Sequence, residues 1–145
     1  MKRFSCLSLL LLVFVLCSVS CSKNDTEKVD YVKQYSSLLY GKWCRENQTD
    51  ISYFFMSYTF STNSVVTRYE RYANKIHDKW VIETDETTEG EWFVQYERGI
   101  VGIMIKWDGK DSFRRYTISH IDNSILSFSD GYTEDLSKGS VIPKI

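Results

Sequence analysis

The alternation in residues 89–107, EGEWFVQYERGIVGIMIKW, constrains this chain more than any other feature. Gly90, Trp92, Val94 and Tyr96 fall on one face of an extended chain. Glu89, Glu91, Gln95 and Glu97 fall on the other, with Phe93 the apolar exception. Period-two alternation marks a strand with one buried and one wetted face. Arg98-Gly99 supplies a turn, Val101, Ile103, Ile105 and Trp107 resume the phase, and Asp108-Gly109 closes the second run. The stretch predicts an antiparallel hairpin.

The flanking sequence repeats the pattern. Extended runs are predicted at 41–45, at 53–60 with Phe54, Met56, Tyr58 and Phe60 in phase, and at 65–72. Further runs follow at 76–84 with Ile76, Trp80 and Ile82 in phase, at 112–119 with Tyr116 and Ile118 inward, and at 124–129 with Leu126 and Phe128 inward. Turns are expected at 61–63, 85–87 and 121–123, and 131–145 is an unassigned tail in which Val141 and Ile142 are placed to cover an opening. The runs number about eight and no helix separates them, so parallel crossovers are excluded. The predicted fold is all-β: an antiparallel up-and-down meander barrel of about eight strands with a short N-terminal helix. Closure removes exposed edges. A two-sheet sandwich is the rival, but it uses longer crossing connections than any seen here.

The 145 residues fit one domain, and 43% hydrophobic content is enough for one core. A net charge of −1 gives no electrostatic case for nucleic acid. Outside the N-terminal segment Cys44 stands alone, so no disulfide framework is available, and it reads as a small buried hydrophobe.

That segment is an address. Lys2-Arg3 precedes an apolar run at 7–16, too short to span a bilayer of ~30 Å, and Ser18 and Ser20 precede Cys21. Ser18-Val19-Ser20-Cys21 resembles a relaxed bacterial lipoprotein lipobox of the kind familiar among Bacteroidota. The resemblance implies a signal peptide at 1–20, cleavage before Cys21 and acylation of that cysteine, with several acyl chains giving firm anchorage. Ser22 after the cysteine favours the outer membrane over retention at the inner one. An ordinary secretory signal, cut elsewhere, is the alternative.

Residues 22–26 read as a tether, completing a segment at 21–40. Val29, Val32, Tyr35 and Leu39 then have helical spacing, Asn24 with Glu27 forms a capping pair, and Gly41 is a stop. This helix is expected to pack across the open end of the barrel at 41–145; a partner-binding helix is the other reading.

Gly41-Lys42-Trp43 after a short helix, with Tyr58-Thr59-Phe60, Gly90-Glu91-Trp92, Tyr116-Thr117-Ile118 and Leu126-Ser127-Phe128, resembles the lipocalin-like domains of Bacteroidota lipoproteins. The resemblance covers about residues 38–130. It implies a cup for a small apolar or amphipathic molecule, and a tryptophan, matched by Trp43, packed at the closed end under an arginine from the last strand. The run at 124–129 has no arginine, which points to a looser relative of the lipocalins proper.

Two charges fall in phase with core positions: Asp78 with Ile76, Trp80 and Ile82, and Arg114 with Tyr116 and Ile118. A buried charge must pair, meet water or meet a ligand. If both point inward, Arg114 supports a polar group of the ligand, Asp78 shares the cup, and Trp80, Trp92, Tyr58 and Tyr96 form its wall. A bulge that turns one of the charges outward is the alternative. His77 and His120 lack metal spacing and read as surface residues, and no nucleophile elbow or phosphate loop is present. The expected function is non-catalytic binding of a small ligand in the envelope, with no metal, cofactor or nucleic acid and with the membrane reached through the lipid anchor. A filled barrel acting as a protein-interaction module is the alternative.

Overall fold

The computed structural model describes residues 23–139 and 143–145. The signal segment, Cys21, Val141 and Ile142 therefore lie outside the described residues. One helix, α1 (Lys23–Leu39), precedes eight strands: β1 (Gly41–Gln48), β2 (Ser52–Phe60), β3 (Val65–Ile76), β4 (Lys79–Glu97), β5 (Ile100–Trp107), β6 (Arg114–Ile121), β7 (Ile125–Ser129) and β8 (Thr133–Lys138). Each strand pairs antiparallel with the next and β1 pairs with β8, giving a closed barrel. The helix is described from Lys23, so Asn24 and Glu27 both lie within its range.

The strand number agrees with expectation through two compensating differences. The runs at 76–84 and 89–97 are one strand, because residues 85–87 pair with Tyr69, Glu70 and Arg71 and do not turn. The reversal lies at His77-Asp78, both left-handed with φ of 49° and 61°, the backbone of a type I′ hairpin turn. The eighth strand is β8, which lies in the C-terminal stretch expected to be a tail.

The interior follows the alternation. Trp43, Met56, Tyr58, Phe60, Val66, Trp92, Val94, Ile103, Ile105, Tyr116, Leu126, Phe128 and Leu136 form one buried cluster. Gly90 is needed where β4 and β5 close: a Cβ there would lie 2.6 Å from the Lys106 carbonyl oxygen and 3.1 Å from the Trp107 ring.

One end of the barrel is covered by α1, which packs Val32, Tyr35 and Leu39 against the core and stacks Tyr31 on Tyr96 at 4.9 Å. Its last carbonyls are satisfied from the barrel. Trp43 Nε1 donates to the Leu39 oxygen at 2.7 Å and Lys138 Nζ to the Leu38 oxygen at 3.1 Å. Lys138 also lies 5.0 Å from the Trp43 ring centre. A cation from the last strand does cover Trp43; it is a lysine, on β8 and not on the run at 124–129.

A second cluster sits outside the barrel. Cys44, Tyr53, Phe55 and Ala73 are buried there, with Tyr69, Trp80 and Ile145 against them. Residues 143–145 lie over it: the Lys144 amide donates to the Tyr53 hydroxyl at 3.0 Å, and Arg71 donates to the Ile145 main-chain oxygen.

Candidate functional site

The end of the barrel away from α1 is a polar mouth over an aromatic floor. Tyr58 is the hub of that floor. Its ring centre lies 5.4 Å from Phe128, 6.2 Å from Trp107 and 6.2 Å from Phe60, so β2, β5 and β7 meet across the lumen. Tyr116 packs edge-on to Phe128 at 5.6 Å and accepts a hydrogen bond from Trp107 Nε1 at 3.2 Å. These rings lie together at the level beneath the mouth.

The rim is built by strand register. Facing partners share a side of the sheet. Arg45 pairs with the inward Met56, Arg68 with Tyr58, Glu70 with Met56, Arg114 with Ile105, and Glu134 with Phe128. Three guanidiniums and three carboxylates, counting Asp130, therefore converge. Arg68 pairs with Glu70, and Arg114 pairs with Asp130 at 2.5 Å while lying over the Tyr116 ring. Glu134 has no ion-pair partner among the described residues; its Oε2 and Arg68 Nε are both buried without a hydrogen bond. Burial pushes the Glu134 carboxyl above its ordinary pKa, against the pull of Arg68 and Arg45. Burial, then the nearby Glu134 charge, raises the Tyr58 phenol well above its usual value. Burial is the largest cause of both shifts.

The six residues expected to line a cup divide into three groups. Tyr58 lies in the floor of the mouth and Arg114 on its rim. Trp92 and Tyr96 face inward but serve the closed end: Trp92 Nε1 donates to the Ser61 oxygen at 3.1 Å and its ring packs on Phe60 and Tyr40, while Tyr96 is under α1. Trp80 and Asp78 do not face inward. A bulge sets Tyr72 opposite Thr84 but Ala73 opposite Ile82, leaving Glu83 as the extra residue. Because side chains alternate, one extra residue moves everything before it to the other face. Trp80 therefore joins the outer cluster. Asp78 is in the turn, 98% exposed, 3.6 Å from Lys75.

Sequence reasoning misses Arg45, Arg68, Glu70, Asp130 and Glu134. A signal is present at 66–72, where Val66, Arg68, Glu70 and Tyr72 share one phase, and at Glu134 and Leu136. Elsewhere, His120, Ile125, Ser127, Asp135, Leu136 and Ser137 line an open surface groove of about 380 Å³. Among the described residues no three His, Cys, Asp or Glu side chains gather as a metal would require.

No protein-family model matches the chain, and no similar curated protein or solved structure is found.

Proposed function

We propose that this chain is an envelope lipoprotein, held by an acylated Cys21 at the outer membrane, whose lipocalin-like barrel binds a small amphipathic molecule at its mouth without transforming it. The observation that carries the reading is that two of the four buried side-chain polar atoms without a hydrogen bond among the described residues, Arg68 Nε and Glu134 Oε2, lie above the same aromatic floor. Buried polar atoms are nearly always hydrogen-bonded, and an exception asks for water, an ion or a ligand. A concave apolar surface with a few convergent polar groups is the ordinary form of a small-molecule site. The aromatic floor favours a shallow ligand, its apolar part on Tyr58, Trp107 and Phe128 and its polar end at the rim.

Brominated short-chain amphiphiles test this, because bromine quenches only nearby indoles. Saturable quenching in the native protein, lost in Trp107→Phe, is expected. Quenching that never saturates, or that survives the substitution, refutes mouth binding. Anchorage is read separately, by fatty-acid labelling that Cys21→Ala should abolish.

A second reading, a protein-interaction module, draws on β4. Residues 79–88 pair with β3, whereas β5 pairs only with residues from Gly90 onward. An edge open over that length can accept an added strand, although Glu83, Asp85 and Glu86 along it also guard against chance pairing.

A further inference from the structure

From the charges left over at the mouth we infer that the polar end of the ligand is zwitterionic, an ammonium and an acidic group a few ångströms apart. The inference rests on the mouth being the binding site, as proposed above, and adds the chemical class. Two of the three charge pairs are internally satisfied: Arg68 with Glu70 and Arg114 with Asp130. Arg45 and Glu134 remain, one of each sign, and neither has an ion-pair partner among the described residues.

Their positions follow from the ladder. Cys44 faces Ser137 between β1 and β8. The ladder ends there. By alternation Arg45 follows the inward Trp43 and Glu134 precedes the inward Leu136, so both fall on the lumen face just past the last pair, close enough for Arg45 to act on the Glu134 carboxyl. A zwitterionic group meets Glu134 with its ammonium and Arg45, with Arg68 Nε, with its acidic oxygens.

Ligands of a single charge sign fit less well. An anion at the guanidiniums faces Glu70, Asp130 and Glu134. A cation at Glu134 faces Arg45 and Arg68. An anion leaves the half-buried Glu134 carboxylate unpaired, a penalty that separates ligand classes, and a cation forgoes the contact that the exposed Arg45 offers. A zwitterion satisfies both without changing the net charge of the mouth.

The test uses the full-length chain, anchored in lipid nanodiscs, and four water-soluble probes of equal chain length: 2-aminohexanoate, hexanoate, hexylammonium and hexanamide. Calorimetry should show 2-aminohexanoate bound roughly ten-fold more tightly than either singly charged probe. Glu134→Gln and Arg45→Gln should each remove most of that preference. Two variants are used so that one poorly folded protein does not decide the matter. Equal affinity for all four probes, or a zwitterion preference that survives both substitutions, overturns the inference while leaving mouth binding intact. Equal affinity is also the outcome if Arg45 simply swings onto Glu134. Failure of all four probes to bind overturns the binding reading and this inference together.

Discussion

Gly90→Ala should destabilise the barrel even though the backbone of Gly90 is ordinary for a strand. The added Cβ would lie 2.6 Å from the Lys106 carbonyl oxygen, 3.1 Å from the Trp107 Cα and 3.1 Å from its ring. Two of these three atoms are backbone, in a ladder where Gly90 faces Trp107 on one side and Val66 on the other. Relief therefore requires β4 and β5 to part by several tenths of an ångström. Overpacking of this kind costs about 1–3 kcal/mol. Restricting the unfolded chain returns about 0.4–1 kcal/mol. The net loss is about 1–2 kcal/mol, a fall in Tm of roughly 4–10 °C for a domain of this size. Urea unfolding with an unchanged m-value measures it. Gly109 supplies the contrast: its φ is +75°, and a methyl group added there would meet nothing within 4 Å. At that position Asn, which tolerates the left-handed region, should be nearly neutral, whereas Gly90→Ser should be at least as harmful as Gly90→Ala. A neutral or stabilising Gly90→Ala would refute the close approach of Trp107 and, with it, the floor of the mouth.

Three further outcomes are expected. Glu134→Gln should raise the stability of the ligand-free protein by about 0.5–1 kcal/mol in thermal unfolding, because a half-buried carboxylate loses its desolvation penalty, while weakening ligand; a purely structural residue would move both in one direction. Tyr58 keeps its proton in the fold after the unfolded chain has lost it, so its contribution makes stability fall as pH rises above the ordinary tyrosine value of 10.0; Tyr58→Phe should flatten the alkaline slope of Tm. Trp43→Phe removes the donor that satisfies the Leu39 oxygen and leaves a void, costing about 2–3 kcal/mol by chemical denaturation.

Much of the barrel is legible from alternation alone. The inward faces of β2, of β5 and of the half of β4 from Gly90 onward follow the phase of the sequence, and Arg98-Gly99 and Asp108-Gly109 mark their turns by composition. Two features are not legible. A turn made by His77-Asp78 has neither glycine nor asparagine, and His and Asp, which tolerate left-handed backbone, sit inside a run that otherwise alternates as a strand, while Asp85-Glu86-Thr87 has the polarity of a turn and is strand. The bulge at Glu83 then inverts the face of Trp80, and no residue type signals it. The site is hidden for a different reason. Its charges lie on strands whose apolar phase is broken by those same charges, so Arg68, Glu70 and Glu134 make β3 and β8 look irregular. The pairing of Arg68 with Tyr58 and of Glu134 with Phe128 turns that irregularity into a rim.

The most direct measurement is native mass spectrometry of the protein released gently from its own envelope, with organic extraction of whatever accompanies it. A small amphipathic molecule bound one to one in the native protein, and displaced when Arg68 and Glu134 are both replaced by Gln, is the predicted result. A protein that emerges empty and takes up no amphiphile, native and variant alike, would contradict the account and leave the barrel as a filled scaffold.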